Sequence, residues 1–217
     1  MTRPLNRTLT PGKALIFRIT HRSNVPWILE NGLHCSNSTS RDPDFESIGN
    51  PDLIERRADR KVPIATGGTL ADYVPFYFTP FTPMLYNITT GYGGIKRRTN
   101  DEIVILASSL IELEKHRVPY VFTDRHAYLA GAQFFADRSE LDRIDYDSLQ
   151  RRDFQRDPED PGKLERYQAE ALVYQHLPVS ALKGVACYTE EVKQEIEEAT
   201  AGLDLELTTI VRSGWYL

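Results

Sequence analysis

The stretch Asp101-Glu-Ile-Val-Ile-Leu-Ala107 contains the clearest buried β-strand in a chain of 217 residues. Its apolar run is short, rich in β-branched residues and bounded by polar residues, a pattern typical of a strand within a sheet. Ser108 follows as a candidate N-cap for a helix that extends to about His116. Pro119–Thr123 then predicts another short strand. The fold is therefore expected to be organised around a β-sheet.

Outward from this stretch, the sequence predicts about seven short strands in all. The segments are 13–20, 73–78, 101–107, 119–123, 169–174, 184–188 and 205–212. Short helices are scattered between them, and the helices do not alternate strictly with the strands, which argues against a doubly wound parallel sheet. The predicted fold class is α+β, with a mixed, mostly antiparallel sheet and short peripheral helices.

Three local sequence signals add detail to this prediction in the N-terminal half of the chain. Pro75, inside the aromatic segment 73–78, favours an edge or bulge position because proline cannot donate to a sheet ladder. Ser23 is a candidate N-cap for a short helix that Gly32 ends. Asn50-Pro51 predicts another helix start, and the arginines of that helix are expected to point outward.

Length and composition favour one domain over residues 1–217, with residues 1–12 as a loose lead-in. No run approaches the ~18 apolar residues of a membrane span, and the N-terminus lacks the apolar core of a secretion signal. Two cysteines give neither a disulfide framework nor a zinc set, so no metal is expected. These features favour a cytoplasmic protein without a membrane partner.

The net charge of −5 argues mildly against a nucleic-acid partner, since phosphate binding needs positive potential. The distribution of charge along the chain weakens this argument. Basic residues cluster in 56–61 and 96–98, whereas acidic residues gather in 137–160 and 190–198. Such runs are usually solvated surfaces, so charge alone leaves both readings open.

Glu170 and Arg57 are the first two candidate site residues. Glu170 opens an apolar strand directly after a charged loop, so it is either an exposed strand-end residue, the commoner case, or a site acid. Arg57 lies in Glu55-Arg-Arg57, where a solvated helix face is the ordinary interpretation.

A histidine and an aromatic segment supply further candidates. His126 ends Thr123-Asp-Arg-His126, and its surroundings fit no nucleophile arrangement, so a satisfied polar role is the simpler interpretation. The aromatics of 73–84 are mostly explained by core packing. Tyr77 and Met84 could instead line a pocket for a flat ring.

Taken together, these blocks resemble the DarT toxins, DNA ADP-ribosyltransferases of the DarTG toxin–antitoxin systems. The resemblance runs in consistent order from about residue 14 to the C-terminus. Its blocks are Ile19-Thr-His21, Ser47-Ile-Gly49, Glu55-Arg-Arg57, Tyr73-Val-Pro-Phe-Tyr-Phe78, Pro83-Met-Leu-Tyr86, Phe122-Thr-Asp-Arg-His126 and Gln168-Ala-Glu170. Each block is weak alone, but the ordered set is specific.

The resemblance implies a compact ADP-ribosyltransferase fold that uses NAD as co-substrate, without a metal. The substrate would be single-stranded DNA, modified at thymine N3, and the partner an antitoxin with a macrodomain. By position, Glu170 and Arg57 match the catalytic residues, and His126 a substrate-side residue. The NAD-binding positions would be Arg18, Ile19, Thr20, Gly49, Tyr77 and Met84. Arg18 is a departure, since the family usually has histidine there.

These residue types suit the implied reaction. Loss of nicotinamide leaves an electron-poor ribose carbon, which a carboxylate such as Glu170 can stabilise. The Arg57 guanidinium can stabilise a deprotonated thymine imide, and Glu170 or a water that it orders is the candidate general base. Single-stranded DNA is expected because N3 is hidden in Watson–Crick pairing. Arg56 and Arg152 are candidates for DNA phosphate contacts, although a solvated surface is an equally good interpretation.

Two other functions stay open at this stage. The same fold could transfer ADP-ribose to a protein side chain or to RNA. A non-catalytic module could instead use the arginine clusters and exposed aromatics to bind single-stranded nucleic acid.

Overall fold

The computed structural model describes residues 8–64 and 66–216. The first seven residues of the expected lead-in lie outside the described residues. The remainder of the lead-in is not loose: Leu9 is buried in the core, and its carbonyl oxygen accepts a hydrogen bond from Gln150 at 2.8 Å.

The described residues form ten strands and seven α-helices. The strands are β1 Leu15–His21, β2 Leu33–His34, β3 Tyr73–Tyr77, β4 Ile103–Ser109, β5 Tyr120–Thr123, β6 Phe134–Phe135, β7 Glu170–Tyr174, β8 His176–Leu177, β9 Gly184–Cys187 and β10 Thr208–Val211. The helices are α1 Val25–Asn31, α2 Pro51–Ala58, α3 Pro83–Thr90, α4 Leu110–Lys115, α5 Tyr146–Arg151, α6 Lys163–Tyr167 and α7 Glu190–Thr200. The seven predicted strands are all present, and the three additional ones have two residues each.

Eight strands form one sheet in the order β10-β9-β4-β1-β3-β7-β5-β6, and β2 pairs separately with β8. All neighbours are antiparallel except β9 and β10, which are parallel. The α+β prediction is confirmed, including the mostly antiparallel sheet. Short helices lie around it, and no helix within 8–64 and 66–216 combines the length and apolar character that a bilayer crossing requires.

Strand β4 lies well inside the sheet, as its sequence predicts, but begins and ends two residues later than expected. Ile103, Val104, Ile105 and Leu106 are completely buried. The predicted cap at Ser108 is wrong by one residue: Ser109 accepts the bond from the Glu112 N–H, while the Ser108 hydroxyl donates to the Ala181 carbonyl at 2.5 Å.

Pro75 is not at a sheet edge, because β3 lies between β1 and β7. The predicted edge position is wrong, but Pro75 does coincide with an interruption of the hydrogen bonds between two strands. Strands β1 and β4 pair along their length from Leu15 to His21, whereas β1 and β3 pair only at Phe17 opposite Tyr77. Proline offers no N–H for further pairing, and the two strands diverge.

Local sequence signals set the ends of the helices that lie next to the point where β1 and β3 diverge. Asn50 caps α2 by accepting from the Leu53 N–H, with proline at the first position as predicted. Thr82 caps α3 in the same way. Gly32 ends α1 with φ at 78°, as expected, but its N-cap residue is Asn24 rather than Ser23.

Candidate active site

A cleft of about 320 Å³ lies between the diverging strands β1 and β3 and is closed on one side by α2. Its volume is in the range of small-molecule sites. The cleft is lined by the predicted NAD-binding residues and by Arg57: Arg18, Ile19, Thr20, Gly49, Arg57, Tyr77 and Met84 all contribute to its wall. The structure therefore brings these predicted residues together.

Arg57 points inward, which corrects the expectation that both arginines of α2 face solvent. Leu53 and Arg57 are four residues apart, share one helix face and both line the cleft. Arg56 falls on another face and is exposed. Only 14% of the Arg57 side chain is exposed, because its guanidinium extends toward the start of β7.

The Arg57 guanidinium meets the Glu170 carboxylate through two hydrogen bonds. Arg57 Nη2 donates to Glu170 Oε2 at 2.6 Å, and Nη1 donates to Oε1 at 3.3 Å. The Ala127 backbone N–H donates to Oε1 at 3.1 Å. Such bidentate, charge-assisted pairs are the strong ones in proteins.

Glu170 is fully buried, which excludes the interpretation of an exposed strand-end residue. It lies opposite Tyr77 in the antiparallel pair of β3 and β7, and its backbone N–H donates to the Thr123 hydroxyl at 3.2 Å. Burial is the largest influence and raises the pKa of Glu170, but the Arg57 charge, the neighbouring His126 and the hydrogen bonds from Arg57 and the Ala127 N–H together outweigh it and hold that pKa below its usual range. Glu170 is therefore an anion at neutral pH.

His126 completes the surroundings of this carboxylate. Its Nδ1 lies 3.3 Å from Glu170 Oε1 and accepts from the Tyr128 backbone N–H at 3.2 Å. Burial is the main cause that lowers the pKa of His126, so the imidazole is neutral at pH 7. The Tyr128 bond has hydrogen-bond geometry and the Glu170 contact does not, so we assign the ring proton to Nε2. With this assignment His126 is a donor through Nε2.

Tyr77 and Met84 form one part of the cleft wall. The Tyr77 hydroxyl lies 3.9 Å from the Met84 sulfur, a distance suited to a weak contact. Burial raises the pKa of Tyr77 to about 12, so its hydroxyl keeps its proton. The Thr82 cap at the start of α3 fixes the position of Met84. A polarisable sulfur next to an aromatic ring suits a flat aromatic ligand.

Gly49 lies in the loop before α2 and also lines the cleft. A Cβ added at this position would meet the Ile54 side chain at 3.1 Å, so the loop approaches α2 closely here. On β1, Ile19 and Thr20 are buried, and the Thr20 hydroxyl accepts from the Asn24 side chain at 2.9 Å.

None of the three predicted substrate-binding residues, His126, Arg56 and Arg152, lines the cleft itself. Arg56 is exposed on α2. Arg152 has a left-handed backbone with φ at 58°, donates to the Gly214 carbonyl at 3.0 Å and lies over the Phe81 ring at 4.6 Å. The Arg152 guanidinium therefore already has partners within the fold, and the proposed phosphate contacts of both arginines stay predictions.

Several residues at this site were missed in the sequence. The Ala127 backbone N–H bonds to Glu170, and its only signal was its position directly after the Thr123–His126 block. Trp27, His34 and Arg41 also line the cleft. Each reaches it through a separate element, and no local pattern marks that convergence.

Charged side chains of both signs line the cleft. The guanidiniums are those of Arg18, Arg41 and Arg57, of which Arg57 is paired with Glu170, and the carboxylates are those of Asp42 and Glu55. The buried Nε–H of Arg18 has no hydrogen-bond partner among the described residues. Within the same residues, no group of three or more His, Cys, Asp or Glu side chains is placed to hold a metal ion.

Solved structures with this architecture define the class of the protein. The structure of Thermus sp. 2.9 DarT in complex with ADP-ribosylated ssDNA superposes with a TM-score of 0.87 at 33% identity, covering 100% of both chains. Thermus sp. 2.9 DarT in complex with NAD+ superposes with a TM-score of 0.80 at 33% identity, covering 94% of this chain and 98% of the other. Fold and site together define a DNA ADP-ribosyltransferase.

The chain belongs to the DarT family. The family model described as "ssDNA thymidine ADP-ribosyltransferase, DarT" matches residues 17–217. A DNA ADP-ribosyl transferase of Escherichia coli O127:H6 is 56% identical over 209 residues, which cover 96% of each chain. The resemblance found in the sequence is thereby confirmed.

Proposed function

We propose that this chain transfers ADP-ribose from NAD to N3 of thymine in single-stranded DNA and releases nicotinamide, with Glu170 and Arg57 as catalytic residues. The observation that carries the proposal is the Arg57–Glu170 pair beside the cleft, with bonds of 2.6 and 3.3 Å. NAD would supply the ADP-ribosyl group, and nicotinamide would be the leaving group. The side chains described above would carry out all other steps.

The two oxygens of Glu170 have different surroundings. Oε1 accepts from Arg57 and from the Ala127 N–H, and it lies beside His126. Oε2 accepts from Arg57 Nη2. Arg57 lines the cleft and covers the carboxylate, which is itself inaccessible. We infer that Arg57 turns toward the base when substrates bind, which exposes Oε2 while Ala127 keeps Oε1 in place.

This movement couples the two residues chemically. In the paired state, the Arg57 charge keeps the pKa of Glu170 low and the carboxylate weakly basic. Once the guanidinium turns to the thymine, it stabilises the imide anion, and Glu170 loses that interaction and becomes a stronger base. As the ribose–nicotinamide bond breaks, the carboxylate stabilises the positive charge that develops on the ribose. Oε2, or a water that it holds, then accepts the N3 proton as N3 forms its bond to the ribose carbon.

The other site residues would bind and orient the substrates. Tyr77 and Met84 offer a surface for the nicotinamide ring. Gly49, Ile19 and Thr20 shape the cleft, and Arg18 adds positive charge. His126 would contact the substrate as a neutral donor through Nε2. Arg56 and Arg152 are proposed to contact the DNA backbone.

The proposed biological setting follows from the DarT family. We propose that the chain is the toxin of a DarTG-type pair, neutralised by an antitoxin whose macrodomain removes ADP-ribose. Because its proposed substrates are NAD and DNA, we place its action in the cytoplasm.

Nicotinamide release tests the reaction class. The chain is mixed with NAD and an oligonucleotide that contains thymine, and with a matched oligonucleotide in which every thymine is replaced. Release with the first oligonucleotide alone supports the proposal. Equal release with protein or RNA acceptors would support the alternative substrates, and no release despite DNA binding would support a non-catalytic module.

A further inference from the structure

Arg18 is a half-buried arginine whose guanidinium the catalytic pair does not use. It lies on β1, where β1 and β3 diverge, and its Nη1 donates to the Pro75 carbonyl at 2.8 Å. That carbonyl faces β1 at the position where the proline interrupts the ladder. The guanidinium thus bridges the gap between the two strands and is held in place at the wall of the cleft.

The charge of Arg18 is not balanced within the part of the chain that the structure describes. Its electrostatic neighbours are Tyr77, which is neutral, and the cations Arg57 and Arg41. Asp42 and Glu55 belong to the same cleft wall, but no described carboxylate forms a salt bridge with Arg18. A buried charge without an opposite charge is costly, and burial lowers the pKa of Arg18 to about 10. An anion in the cleft would remove this cost.

The unused hydrogen bonds of Arg18 indicate which anion fits. Its Nε–H is buried and has no partner among residues 8–64 and 66–216. Nη1 is held by Pro75, and Nη2 makes no hydrogen bond to the described residues, so Nη2 is the donor that remains available to a ligand. A guanidinium with one donor fixed and another available orients a phosphate oxygen in a way that a point charge cannot reproduce.

We propose that Arg18 binds the diphosphate of NAD, with Pro75 holding the guanidinium in the orientation that this contact needs. The proposal rests on the proposed function and specifies which part of the dinucleotide meets β1. It makes Arg18 a co-substrate-binding residue, whereas Arg57 acts on the base and Glu170 on the ribose.

Binding without DNA tests this inference separately from catalysis. We would measure dissociation constants of the full chain by titration calorimetry for NAD, ADP-ribose, nicotinamide and adenosine. For R18Q, which keeps a donor for the Pro75 carbonyl but loses the charge, NAD and ADP-ribose should bind roughly ten- to a hundredfold more weakly. The affinities for nicotinamide and adenosine, which carry no phosphate, should not change.

Two further variants separate this role from a structural one. R18K keeps the charge but not the fork, so its affinity for ADP-ribose should lie between those of wild type and R18Q. R22Q removes a charge from the neighbouring surface pair with Glu195 and should bind all ligands like wild type. Should R18Q not fold, R18K and competition by inorganic pyrophosphate against ADP-ribose on wild type carry the test.

The outcomes are distinguishable. Unchanged ADP-ribose affinity in R18Q or R18K, an equal loss for all four ligands, or failure of pyrophosphate to compete would overturn the Arg18 assignment. Absence of NAD binding to the wild-type chain would instead overturn the proposed function.

Discussion

Arg57 and Glu170 are 113 positions apart in the chain, yet the Arg57 guanidinium covers the Glu170 carboxylate with bonds of 2.6 and 3.3 Å. Helix α2 contributes the cation and strand β7 the anion. Since Arg57 lines the cleft and Glu170 lies behind it, the pair is both a structural contact and, in our proposal, the resting state of the catalytic residues.

The first prediction concerns folding stability. R57A should lower the free energy of unfolding by about 3–5 kcal/mol, because a buried carboxylate loses its partner. The double variant R57A/E170Q should lose less than the sum of the two single variants, as measured by urea denaturation. The exposed pair Arg22–Glu195, at 3.7 Å, is the matched control, and R22A should cost at most about 1 kcal/mol. Strict additivity at the buried pair would contradict the coupling.

The second prediction is a pH dependence. The folded-state pKa of Glu170 is below the ordinary glutamate value of 4.5. A group of this kind stabilises the fold fully above its unfolded pKa and loses that contribution as the pH falls through its folded pKa. The stability difference between wild type and E170Q should therefore be constant above about pH 5.5 and shrink at lower pH. A difference that grows on acidification would mean that the pKa of Glu170 is raised, against the geometry.

Some of this arrangement could be predicted from sequence. The seven longer strands, the helix start at Asn50 and the helix end at Gly32 follow from local patterns, and the bounds of these strands were predicted within about three residues. Local patterns are sufficient there because each signal and its structural result lie within a few residues.

The inward direction of Arg57 could not be predicted in the same way. A helix with charged residues shows which face is polar, but a cation faces inward only if a distant strand presents an anion. The burial of Glu170 depends on Arg57, Ala127 and His126, which arrive from other elements. The family resemblance identified Arg57 and Glu170 as site residues. Their contact with each other is a property of the tertiary fold. Pro75 likewise interrupts the hydrogen bonds between β1 and β3 inside the sheet only because β1 is the strand next to β3.

The third prediction concerns the ring surface of the cleft. Y77A should weaken NAD binding by roughly ten- to a hundredfold, since a buried ring is worth about 1.5–3 kcal/mol. Y77F removes only the 3.9 Å contact with Met84 and should bind NAD within about twofold of wild type.

Tyr73 is the matched control for this comparison, because it is buried on the same strand but does not line the cleft. Y73A should lower the melting temperature without changing the NAD affinity of the folded protein. Equal NAD affinities for Y77A and wild type would remove Tyr77 from the proposed site.

The fourth prediction separates the two arginines assigned to DNA. R56A should weaken binding of single-stranded DNA evenly across sequences and reduce the slope of log K against log salt by roughly 0.7, with an unchanged melting temperature. R152A should also lower the melting temperature, because its bond to Gly214 and its contact with Phe81 are lost. An unchanged salt slope in R152A would contradict its predicted phosphate contact.

The most direct test is mass spectrometry of a defined thymine-containing single-stranded oligonucleotide after incubation with NAD and wild type, R57A or E170A. The account predicts one ADP-ribosyl adduct on thymine N3 with wild type, none with E170A, and none with R57A although folded R57A still binds NAD. An adduct formed by E170A at the wild-type rate, or an R57A variant that loses NAD binding but modifies thymine at saturating NAD, would contradict it.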